Sequence, residues 1–219
     1  MKNWTLQLLF CFYADREDLM VRYILKRLLA LIPILIAVSF LVFFIMDLAP
    51  GTAIDLLGSE YSVWQPEDNC RFVKYTLRGL FEWRDEIAGA DIIHWNNGLW
   101  DTSTGLFDDG GKPFTDEKEY VKNMLRVASE LKKIAPRVIF ATTTPVRPDY
   151  VYNNNAVIER YNQVLVPLLR EMGLEINNLH PLVAADVYRY IRETDKIHLS
   201  EEGARLCAEQ VARVIRGEA

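Results

Sequence analysis

Near the C-terminus stands Asp195-Lys196-Ile197-His198, and Ser200-Glu201-Glu202-Gly203 follows it as a helix start. A carboxylate and an imidazole therefore sit three residues apart on one loop. Such a pair suits acyl transfer: the imidazole takes a proton from a nucleophile while the carboxylate orients the ring. The third partner, a hydroxyl, is not evident. No serine stands where this pair expects its nucleophile.

At 219 residues the chain has room for one ordinary domain plus an appendage. A net charge of −5 gives no electrostatic footprint for nucleic acid. Cys11, Cys70 and Cys207 form no CxxC and no metal-ligand spacing. They read as isolated small hydrophobes, so no metal, no cofactor and no disulfide framework is expected.

The elements that must position the pair lie in the third of three regions. Residues 1–19 hold a short apolar run from Trp4 to Tyr13, closed by Asp15-Arg16-Glu17-Asp18; this leader has no assigned role. Met20 is a second potential start. After Arg22, Lys26 and Arg27 comes an uncharged run of 19 residues, beginning at Leu28 and ending at Met46. As a helix it spans roughly 30 Å, enough to cross a bilayer. The positive-inside rule would then hold the N-terminus in the cytoplasm and put the C-terminal part outside. Two other readings of this run stand beside it: a buried strand and helix of a sheet, or a disordered leader. Without a span, the expected location is cytoplasmic.

From about Trp64, helix and strand signals alternate. Apolar spacing predicts a helix over 71–88 and a strand over 91–95. Thr115 is placed to cap a helix reaching 134, where Pro136 stops it. The β-branched run predicts a strand over 137–144, followed by a helix over 155–172 that Gly173 ends. A short strand over 174–177 and a helix capped by Ser200 complete the pattern. Alternation of this kind predicts an α/β fold with a parallel sheet covered on both faces.

In such a sheet, function gathers on the loops after the carboxyl ends of the strands. Asn96, Asn97 and Asp101 follow one strand, Pro145, Arg147 and Asp149 the next, and Asp195 and His198 occupy the last loop. His94 and His180 read as structural. Trp83, Trp95 and Trp100 read as core or pocket wall.

Three blocks in order carry a resemblance: Pro66-Glu67-Asp68-Asn69-Cys70-Arg71-Phe72, His94-Trp95-Asn96-Asn97-Gly98-Leu99-Trp100-Asp101, and Asp195-Lys196-Ile197-His198. Residues 64–219 thereby resemble the SGNH (GDSL-type) hydrolases. The resemblance implies a flavodoxin-like three-layer fold and cleavage of acyl or acetyl esters, with a small-molecule or glycan ester as ligand. It implies His198 as base and Asp195 as its orienter. It also implies an oxyanion hole from the Cys70 N–H and the Asn96 side chain, with Asn97 the runner-up. Asn69, Asn97, Asp101 and Arg147 are the expected pocket residues.

One departure matters most. The family's Gly-Asp-Ser block belongs some 20 to 30 residues before Asn69, and no such triplet is present. The closest imitation is Val42-Phe43-Phe44-Ile45-Met46-Asp47-Leu48, which puts Leu48 in the serine's place. Residues 38–47 could replace the first strand of the sheet; otherwise that strand is missing. Ser59 and Ser62 lie too close to Asn69 to serve.

Residues 20–60 carry a second resemblance, through Arg22-Tyr23-Ile24-Leu25-Lys26-Arg27-Leu28-Leu29, Ile32-Pro33 and Leu48-Ala49-Pro50-Gly51. They look like the N-terminus of a peptide-type ABC transporter permease. The remaining membrane helices of that family are absent, so transport is not expected. Together these features predict an SGNH-like ester hydrolase with weak or no activity. The alternatives are a membrane-anchored, non-catalytic ligand-binding module and a fusion product carrying a permease fragment.

Overall fold

The computed structural model describes residues 53–67, 69–106 and 110–218, together with Arg27. The chain divides into two compact units, Met1–Ala49 and Pro50–Ala219. The architecture below is that of the second. The hydrophobic run 28–46, the imitation strand 38–47 and Leu48 lie outside the described residues. Among the described residues, no helix is long and apolar enough to cross a membrane.

In chain order the elements are α1 (Ala53–Leu57), a 3-10 turn (Gly58–Glu60), α2 (Val73–Glu82), β1 (Ile92–Trp95), α3 (Glu117–Ile134), β2 (Arg137–Ala141), α4 (Asn155–Glu171), β3 (Glu175–Asn177), α5 (Leu179–Ala184), α6 (Val187–Tyr190) and α7 (Glu201–Arg216). The three strands pair in parallel in the order β1-β2-β3. Register sets Ile93 beside Val138, Trp95 beside Phe140, and Ala141 beside Asn177. This is the expected α/β pattern, built from strands joined through helical crossovers.

Local chemistry explains the helices. Asp116, rather than Thr115, caps α3 by accepting the Lys118 N–H at 2.9 Å. Lys132 and Lys133 stand in its last turn, where the helix dipole favours cations. Tyr120, Met124, Val127, Ala128 and Leu131 form its buried stripe at helical spacing. Asn154 caps α4 through the Ala156 N–H at 2.8 Å, and Gly173 at φ 80° closes its far end. Ser200 caps α7 by accepting the Gly203 N–H at 3.1 Å. Gly203 itself is required: a Cβ there would lie 2.2 Å from the Tyr190 carbonyl oxygen.

The core lies between the sheet and helices α2, α3 and α4. Trp95, Met124, Val127, Phe140, Tyr161 and Leu165 belong to one buried cluster. Trp95 and Phe140 meet across the β1–β2 pair with ring centroids 5.0 Å apart. A second, smaller cluster of Val183, Ile191 and Cys207 seats α7 under the loop that carries Asp195 and His198.

Candidate active site

β1 ends at Trp95, and the chain turns at once into Asn96-Asn97-Gly98. This turn sits hard against the end of β2. A Cβ at Gly98 would lie 2.0 Å from Thr143 Oγ1, so only glycine fits. Thr143 Oγ1 donates to the Asn97 carbonyl at 3.0 Å, which locks the two loops together.

Asn96 is exposed, and its Nδ2 donates to the Ala141 carbonyl at 2.7 Å. Asn97 points the other way, into the protein. Its Oδ1 accepts from Thr76 Oγ1 at 2.9 Å and from Trp95 Nε1 at 2.8 Å. Its Nδ2 donates to the carbonyls of Cys70 at 3.2 Å and Arg71 at 3.0 Å. Every hydrogen-bonding position of this amide is used inside the fold. Asn97 therefore fixes the backbone of the Asn69-Cys70-Arg71 block instead of lining a pocket.

The same block is pinned from two more sides. Asn69 Oδ1 accepts the Arg71 N–H at 2.8 Å, and Thr76 Oγ1 donates to the Cys70 carbonyl at 2.9 Å. Burial pushes the Cys70 thiol up from its ordinary value, which keeps it a thiol. Arg71 adopts φ 43°, and Lys196 adopts φ 65°. These are the only non-glycine residues with positive φ among those described, and both stand in blocks singled out by sequence.

Asp101 is fully buried rather than pocket-facing. It accepts the Val73 N–H on both carboxylate oxygens, at 3.2 and 3.1 Å, and the Thr115 hydroxyl at 2.6 Å. Burial drives its pKa up to about 6, against the downward pull of those hydrogen bonds. Arg147 is likewise occupied. Its guanidinium donates to the carbonyls of Ile191 at 3.1 Å and Tyr188 at 2.9 Å, and stacks on the Tyr188 ring. Its role is to hold the last loop in place.

On that loop, His198 Nδ1 lies 3.1 Å from Asp195 Oδ2. The other Asp195 oxygen accepts the backbone N–H groups of His198 at 2.9 Å and Ile197 at 3.1 Å. Those bonds hold the Asp195 carboxyl below its ordinary range, the His198 N–H contributing most. An ionised carboxylate facing Nδ1 selects the Nδ1–H tautomer and turns Nε2 outward. The His198 side chain is 73% exposed, so Nε2 is open to a reacting group. Arg147 N–H donates to the Lys196 carbonyl at 2.9 Å, and Lys196 Nζ pairs with Asp149 at 2.6 Å. The loop is thereby tied to the segment that follows β2. The segments 96–101 and 142–149 follow the carboxyl ends of β1 and β2, where such a fold carries its sites.

His94 and His180 are both partly buried. Burial takes the His94 imidazole down to about 4, and its Nε2 lies 3.1 Å from Asn177 Nδ2. Burial also lowers His180. Thr76 and Thr143 escaped notice in the sequence, and Thr115, expected as a helix cap, bonds Asp101 instead. Each contributes through one hydroxyl to a remote partner, and no local spacing signals that.

The chain is similar to GDSL esterase/lipase CPRD49 of Arabidopsis thaliana, with 30% identity over 172 residues, covering 64% of this chain and 65% of the relative. It is also similar to GDSL esterase/lipase WDL1 of Oryza sativa subsp. japonica, with 27% identity over 176 residues, covering 74% and 65%. Among solved structures, the acetylxylan esterase Axe2 of Geobacillus stearothermophilus superposes with a TM-score of 0.53 at 18% identity, over 66% of this chain and 67% of that one. The chain is thus similar in sequence to GDSL esterase/lipases over part of their length. Its parallel sheet is that of the GDSL-type fold. No family model matches the chain. The GDSL-type region spans 65% of the length of both curated relatives.

Proposed function

We propose that this chain is an SGNH-type ester hydrolase-like protein for acyl or acetyl esters, with weak or no activity of its own. The observation that carries this reading is the Asp195–His198 pair: it is bonded, oriented and open to solvent. In this reading His198 Nε2 is the base and Asp195 holds its ring. The Cys70 N–H and the Asn96 amide stabilise the oxyanion that forms when the ester carbonyl is attacked. Loss of one such donor typically costs about 10²–10³ in rate. Loss of the nucleophile is more severe, leaving roughly 10³–10⁴ over water from the remaining groups. In this reading Leu48 stands where the nucleophilic serine belongs, and leucine carries no such atom.

Turnover of an activated acetyl ester, compared between this chain and His198→Ala, tests the reading. Equal, near-background rates agree with it. A clear turnover that His198→Ala abolishes overturns the inactive assignment and restores an ordinary esterase. Saturable binding of an acetylated oligosaccharide without turnover would favour a ligand-binding module that has kept its pocket.

A further inference from the structure

A groove of about 520 Å³ lies between α3 and α4. Its floor is aliphatic. Val121 and Leu125 stand one turn apart on α3, Val164 and Leu168 one turn apart on α4, and all four are half-buried. Residues four apart share a helix face, so the two rows line one channel. Lys118 and Lys122, also one turn apart, form an exposed rim on the α3 side.

The charges at this rim are unbalanced. Glu117, the acid in the lining, pairs with Arg160 at 2.9 Å, and Glu119 pairs with Lys74 at 2.5 Å. Neither Lys118 nor Lys122 makes an ion pair among the described residues. In a chain of net charge −5, the two lysines leave a local positive rim beside an apolar floor.

We propose that this groove binds a single-chain amphiphilic anion, a medium-chain carboxylate. Its head lies on Lys118 and Lys122 and its tail over the four aliphatic side chains. Charge selects the head, because two ammonium groups attract an anion and repel a cation. Size selects the body. A stable protein interface takes about 20–30 residues a side, and four half-buried side chains fall far short of that. From Lys118 to Leu125 the helix rises roughly 10 Å, which an extended chain of about eight carbons matches. The hydrocarbon supplies the affinity and the lysine pair orients it. The groove shares no residue with the Asp195–His198 pair, so it goes beyond the proposed hydrolysis and stands independently of it.

The test titrates butanoate, hexanoate, octanoate and decanoate into the full chain and follows the methyl resonances of Val121, Leu125, Val164 and Leu168. Saturable shifts centred on those methyls are expected. Affinity should rise about twofold per CH₂ up to octanoate, the gain for a chain covered on one side, and level off by decanoate. Combined Lys118→Glu and Lys122→Glu should weaken octanoate about fivefold, the scale of two exposed ion pairs, while Lys118→Arg with Lys122→Arg should retain it. Octyltrimethylammonium, with the same tail and the opposite head, should prefer the charge-reversed variant. No saturable shift, shifts centred elsewhere, or equal binding of the two heads by the unaltered chain overturns the assignment. So does a protein-concentration dependence of the same methyls with a dimer in sedimentation, which gives the groove to a second copy of this chain.

Discussion

Asp101 accepts the Val73 N–H on both of its carboxylate oxygens, at 3.2 and 3.1 Å, across 28 residues of sequence. This bond joins the loop after β1 to the first turn of α2, and so joins the Asn96 block to the Cys70 block. Its removal leaves a buried helix N–H and the Thr115 hydroxyl without their partner. Asp101→Ala should therefore cost about 2–3 kcal/mol of stability, read from the urea midpoint at constant m. Asp101→Asn keeps one acceptor and should cost less.

The same residue predicts a pH dependence. Burial raises its folded pKa to about 6, above the ordinary carboxylate value. The folded protein then holds a proton that the unfolded chain gives up between roughly pH 4 and 6. Stability from this group is full below that window and falls by about 3 kcal/mol as pH rises through it. Asp101→Asn should flatten that fall in a series of unfolding curves from pH 4 to 7. An unchanged slope would remove Asp101 as its source.

Asn97→Ala should destabilise the fold by about 3 kcal/mol, because four hydrogen bonds, two of them buried, are lost at once. The local effect is more specific. The Cys70 and Arg71 carbonyls lose their shared donor, so the amide resonances of residues 69–72 should shift in an NMR spectrum. Asn96→Ala should leave those resonances in place.

Gly98→Ala should cost about 1–3 kcal/mol through the clash of its Cβ with Thr143. Pairing it with Thr143→Ser tests the cause. The hydroxyl remains, so relief should be partial, and Thr143→Ala should relieve more. Thermal melts of the three variants provide the comparison.

Much of this arrangement was legible in the sequence, and the exceptions have physical reasons. Caps and breakers marked α3, α4 and α7 to within a residue or two, because Ser200, Pro136 and Gly173 act locally. The strand expected to run to 144 stops at Ala141. Thr143 is β-branched, but its N–H is taken by Asn162 Oδ1 at 3.0 Å instead of a strand partner. The helix expected to reach 88 ends at Glu82, where the Trp83 ring folds back over Gly79. The opposite burial of Asn96 and Asn97 follows from the strand that precedes them. Strand alternation puts Asn97 on the face of buried Trp95 and turns Asn96 outward. The place of Asp101 was not legible, since its partner lies 28 residues away. The bonds of Arg147 were not legible for the same reason: its acceptors are carbonyls of a distant loop.

Fluorophosphonate labelling followed by intact mass is the most direct measurement of whether the Asp195–His198 pair has a nucleophile to activate. These probes capture only a hydroxyl activated by a neighbouring base. The chain should show no added mass under conditions that label an active serine esterase to completion. One adduct per chain, abolished by His198→Ala, would contradict the reading and identify the missing serine.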